Sequence, residues 1–129
     1  MPVLYPGAVT LLALVVYFGM TFQVARMRAK HAIAAPAVSG HPDFERAYRV
    51  QMNTLEQLVV FLPLLWLFAN LIDDEWAAGL GLLWIAARLH YAFAYHQDPR
   101  TRGPGAYATI GIEIVLMLGV AWGLLVLAL

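Results

Sequence analysis

Four apolar runs, broken by short polar stretches, dominate this 129-residue chain. A membrane-spanning helix needs about 20 predominantly apolar residues. Residues 4–25 and 106–129 meet that requirement outright, whereas 44–71 and 76–95 carry polar residues among the apolar ones. Period-2 alternation is missing, and a small barrel would need many ten-residue strands, which leaves helices as the spanning structure. Composition agrees, with 62% hydrophobic and 12% charged residues, against about 25% charged in soluble domains. The sequence therefore predicts a single domain over residues 1–129: an all-α integral membrane protein, an up-down four-helix transmembrane bundle. The first segment, MPVLYPGAVT, has no basic region and no small-residue cleavage pattern after it, so it is expected as a retained span, not a signal peptide.

Charge placement predicts an orientation. Arg26, Arg28, Lys30, Arg46 and Arg49 surround the first loop, Arg100 and Arg102 lie in the third, and the second holds only Asp73, Asp74 and Glu75. The positive-inside rule puts loops one and three in the cytoplasm and both termini on the opposite side. Short loops, and nothing resembling a retrieval signal of the endoplasmic reticulum, point to a bacterial inner membrane. A formal net charge of zero offers no field to draw nucleic acid. The absence of cysteine excludes disulfides, thiolate metal sites and a cysteine nucleophile, so any thiol chemistry must come from a bound molecule.

The second segment is the informative one. In FERAYRVQMNTLEQ (residues 44–57), Arg46, Arg49, Asn53 and Glu56 follow one another at steps of three, four and three. On a helix they form one polar stripe, with Gln51 on another side. Two readings fit: arginines reaching out to the membrane surface with Glu56 paired to one of them, or a functional site, which intramembrane charges mark by default. Arg88, Tyr91 and Tyr95 make a second face at steps of three and four. Tyrosines near a span's end are ordinary interfacial residues; Arg88, about two turns inside, needs an anionic partner, for which Glu56 and Glu113 are the candidates. The third loop, HQDPRTRGPG (residues 96–105), is a Pro/Gly turn carrying Arg100 and Arg102. His31, His41, His90 and His96 show no metal-ligand spacing, so no metal site is expected. Pro63 is expected to kink the second helix.

These motifs together resemble those of the MAPEG family, the membrane-associated proteins of eicosanoid and glutathione metabolism. FERAYRVQMNTLEQ resembles the family pattern E-R-x-x-R-x-x-x-N-x-x-E, ARLHYAFAY (residues 87–95) resembles R-L-x-Y-x-x-x-Y, and PRTRG (residues 99–103) supplies the arginine pair before the last helix. The resemblance covers nearly the whole chain. It implies a homotrimer with glutathione held at each subunit interface near the cytoplasmic side. It also implies that Arg49, Asn53, Glu56, Tyr91, Tyr95 and Arg102 bind glutathione from one subunit, while Arg28 and Gln51 reach in from the neighbour. Arg102 would be the catalytic residue that stabilises the thiolate, with Arg100 as the alternative. The implied activity is that of a membrane-bound transferase or peroxidase acting on lipophilic electrophiles or lipid hydroperoxides. A non-catalytic lipid-binding scaffold and a glutathione-dependent isomerase are the alternatives. Gln57 stands where one member of the family has a tyrosine, and Ala29 follows Arg28 where that member has a second arginine.

Overall fold

The computed structural model describes residues 3–129, over which every element of regular structure is a helix. Helix α1 runs Leu4–His31, α2 Pro42–Leu71, α3 Asp74–Gln97, and α4 Gly103–Ala128, with a 3-10 turn at Pro99–Thr101. All four helices are long and apolar enough to cross a membrane. Their exposed surfaces carry the residues lipid requires, among them Leu11, Val15 and Phe18 on α1 and Leu118 and Trp122 on α4. The chain is a multi-pass membrane protein.

Helix boundaries follow local chemistry. His41 caps α2 by accepting the Asp43 N–H at Nδ1, and Pro42 occupies the first turn, where its missing N–H costs nothing. Asp73 caps α3 through the Trp76 N–H at 2.9 Å, so the second loop shrinks to Ile72 and Asp73 and the acidic IDDE stretch already begins the third helix. At the other end of α3, Asp98 accepts the Arg100 N–H and opens the 3-10 turn. Helix α1 extends six residues past the expected end of its span, to His31. ARMRAKH retains helix propensity, and 28 residues reach about 42 Å, beyond a hydrocarbon core of about 30 Å. Helix α2 continues through Pro63 to Leu71.

Helices α2 and α3 form the central pair; α1 packs on both, and α4 packs on both. The principal core lies in the half of the bundle near the second loop, where the Phe61 and Trp84 rings stack 4.1 Å apart beside Leu65, Ala77 and Leu116. A small cluster of Val24, Met27, Phe44 and Ala47 closes the end near the first loop. Between them Met20, Val50 and Tyr91 meet where α1, α2 and α3 converge. That junction lies beside the polar stripe.

Candidate functional site

Helix α2 divides its polar residues between two neighbours. Gln51 turns to α1 and donates from Nε2 to Thr21 Oγ1 at 3.0 Å. Asn53, two residues on, turns to α3, and its Oδ1 accepts from Arg88 NH1 at 2.9 Å. Arg88 is 1% exposed. Its guanidinium carbon lies 4.2 Å from the centre of the Tyr91 ring, and its Nε and NH2 are buried without a partner among the described residues. The Tyr91 ring in turn lies 5.7 Å from that of Tyr95. Arg88, Asn53, Tyr91 and Tyr95 therefore form one inner cluster. Arg49 and Arg102 are exposed on its rim, within electrostatic reach of the Tyr91 phenol.

The partner of Arg88 differs from the expected carboxylate. Neither Glu56 nor Glu113 forms an ion pair with it; a neutral amide oxygen does the work, because a guanidinium needs an acceptor and not necessarily a charge. Glu56 is exposed on α2, one turn beyond Asn53. Glu113, 6% exposed on α4, accepts instead from Trp84 Nε1 at 3.0 Å. The Gln57 amide nitrogen, in the orientation its surroundings require, lies 2.8 Å from both Glu113 oxygens.

Two residues assigned to the far side of the site by resemblance are held within this chain. Arg28 donates to the Ala37 carbonyl at 2.7 Å and lies over the Phe44 ring, and Gln51 is bound to α1 as described. Arg28 belongs to α1 and Gln51 bonds to it, whereas Asn53 bonds to α3. The two loop arginines are distinct. Arg100 forms an ion pair with Asp98 at 3.2 Å; hydrogen bonds from the Arg100 side chain and backbone hold the Asp98 carboxyl below the usual carboxylate range. Arg102 uses NH1 to bind the Pro99 carbonyl and occupies the N-cap of α4. Its remaining donors stand at a helix N-terminus, where the macrodipole favours an anion.

Arg46 has a part that its place in the stripe did not reveal. Its NH1 donates to the His96 carbonyl at 2.9 Å, tying the start of α2 to the end of α3 and hence to the loop carrying Arg102. A charge-assisted bond of this kind contributes about 1.5–3 kcal/mol. Arg46→Ala is therefore expected to speed amide hydrogen exchange over residues 96–102 by about tenfold, with α1 amides unchanged; exchange measured by mass spectrometry checks it.

His31, His41 and Asp43 bring ligand-type atoms within 4.8 Å of one another. His41 Nδ1 is committed to the α2 cap, and the two imidazoles stack face to face at 3.6 Å, so their lone pairs run side by side instead of converging.

Fold and site define a class: a four-helix membrane protein with a polar cluster of arginine, asparagine and tyrosine between its second and third helices, and a further arginine at the start of the fourth. Within that class the chain belongs to the MAPEG family, whose profile matches residues 6–122. Relatives agree. An uncharacterized protein of Synechocystis sp. is 41% identical over 94% of this chain and 91% of its own length. Microsomal glutathione S-transferase 2 of Mus musculus is 39% identical over 89% of this chain and 81% of its own. Leukotriene C4 synthase of Cavia porcellus is 33% identical over 92% and 79%.

Proposed function

We propose that this protein is a glutathione transferase that activates the tripeptide's thiol for attack on electrophiles dissolved in the bilayer. The observation that carries the reading is the inner cluster: a buried guanidinium with two unpartnered N–H groups, bonded to Asn53 and covering Tyr91, with Arg49 and Arg102 on the rim. Buried donors without acceptors suit an anionic, peptide-like guest. Two of the similar proteins are named for glutathione transfer and for leukotriene C4 synthesis, which supports the same substrate.

Glutathione supplies the sulfur that the chain itself lacks. Arg49, Asn53, Glu56, Tyr91 and Tyr95 orient it, and Arg102, together with the α4 N-terminus, stabilises the sulfur as it gives up its proton. A free thiol has a pKa near 8.5, so little thiolate exists at neutral pH without such help. The thiolate then displaces a leaving group from, or adds to, an electrophilic carbon presented from the lipid side. We place Arg28 and Gln51 in the site of an adjacent subunit of a homotrimer, which accounts for their lying on the α1 side of α2, and loops one and three in the cytoplasm, where glutathione is available.

The test is stopped-flow ultraviolet detection of thiolate on mixing the purified protein with glutathione at pH 7. A rise in thiolate absorbance with release of protons is expected. Glutathione binding with no thiolate would replace the enzyme by a lipid-presenting scaffold.

A further inference from the structure

Asn53 and Gln57 are four residues apart on α2, as are Trp84 and Arg88 on α3, so the two helices meet in two polar rungs one turn apart. The first rung is Arg88 with Asn53. The second is Glu113 of α4, which receives Trp84 Nε1 and the Gln57 amide. Arg88 and Glu113 lie within electrostatic reach of each other and belong to different rungs. Asn53 satisfies one nitrogen of a guanidinium that is 1% exposed, and an opposite charge nearby lowers the cost of burying the rest. Glu56 is exposed, whereas Glu113 is a carboxylate buried in the bundle and can balance it.

We propose that Glu113 is a positioning residue of the glutathione site. Its carboxylate, fixed by Trp84 and Gln57, counters Arg88 and keeps that guanidinium poised to hold Asn53 Oδ1 and to cover Tyr91. Glu113 itself touches no substrate and acts through Arg88. The departure at Gln57 then has a reason: an amide donor here fastens Glu113, which a tyrosine ring at the same position would not do with the same reach. The inference rests on the glutathione reading given above.

Glu113→Gln removes the charge and keeps the shape and one oxygen for Trp84, while the Gln57 amide can turn its own oxygen toward the new NH2. Binding and turnover are measured on the detergent-solubilised full chain with glutathione and 1-chloro-2,4-dinitrobenzene as chromogenic electrophile. The expected result is a KM for glutathione raised about tenfold with kcat changed less than about twofold, the scale of losing alignment of one charged hydrogen bond. Coupling gives the sharper readout. In the double variant with Asn53→Ala, the second change should add less than about twofold to the first, because both act on one contact. Gln57→Met, milder for folding, should raise KM about threefold on the same grounds. A Glu113→Gln protein with unaltered KM, or full additivity with Asn53→Ala, would overturn the proposal. If Glu113→Gln fails to fold, an unaltered KM in Gln57→Met would overturn it instead. Should the wild type bind no glutathione by equilibrium titration, the glutathione reading itself fails and this inference falls with it; a wild type that binds and turns over beside an indifferent variant sinks the inference alone.

Discussion

Arg102→Ala should remove the thiolate signal at neutral pH and lower kcat/KM for glutathione by about 100-fold, the usual effect of deleting one donor to a developing anion. The expectation rests on where loop three leaves each arginine. Arg100 is spent on Asp98, through an exposed pair at 3.2 Å that also closes the 3-10 turn. Arg102 commits one nitrogen to the Pro99 carbonyl and stands at the N-cap of α4, where the helix dipole favours an anion. Arg100→Ala should therefore change turnover less than about twofold, as exposed ion pairs contribute little. Arg102→Lys should fall between: it keeps the charge and loses the planar fork. The measurement is thiolate amplitude against pH for all four proteins. In Arg102→Ala the titration should move up toward the pKa of the free thiol, so that activity returns as pH rises; a profile unmoved in Arg102→Ala and displaced in Arg100→Ala would exchange the two roles.

The spans and the polar stripe could be read from the sequence because each rests on short-range periodicity. Apolar runs fix where a helix can cross the bilayer, and steps of three and four fix which residues share its face. Arg49, Asn53, Tyr91 and Tyr95 emerged in this way, and Gln51 was correctly set apart, as its bond to Thr21 on α1 now shows. What periodicity cannot reveal is which neighbour a face meets. Arg88 was expected to find a carboxylate because a buried charge calls for one, and its direct partner is Asn53, with Glu113 a rung away. The stripe fits Arg46 either as a surface anchor or as a site residue, and neither reading points to its bond with a main-chain carbonyl 50 residues further along the chain, because no sequence pattern marks a carbonyl. Helix α1 reaches His31, past its apolar run, because hydropathy reports the bilayer boundary and a helix is free to continue beyond it into water.

Gly105→Ala should damage both stability and activity, although it adds a single methyl group. A Cβ at this position would lie 2.8 Å from the Tyr91 backbone nitrogen and 2.9 Å from its Cα and Cβ, where carbon atoms normally approach to about 3.5–4.0 Å. The obstacle is the main chain of α3, which has no side-chain rotation with which to escape. The helices must separate by several tenths of an ångström at least, and overpacking of this kind costs about 1–3 kcal/mol. The functional loss should be greater than the structural one. Tyr91 lies under Arg88, and Arg102 stands three residues before Gly105, so separation of α4 from α3 moves Arg102, the arginine proposed to activate the thiol, away from the groups proposed to orient it. A displacement approaching 1 Å can cost about 100-fold in rate. The control is Gly111→Ala on the same helix, where an added Cβ meets nothing within 4 Å and the gain in helix propensity should stabilise by roughly 0.5–1 kcal/mol. Thermal unfolding in detergent, run beside turnover, separates the two outcomes. Gly105→Ala should lower Tm and lose most of its activity at temperatures where it remains folded, whereas Gly111→Ala should match or exceed the wild type in both. A Gly105→Ala protein with undiminished turnover would show that α4 can slide on α3 without disturbing the site, and that the close approach at Tyr91 serves packing alone.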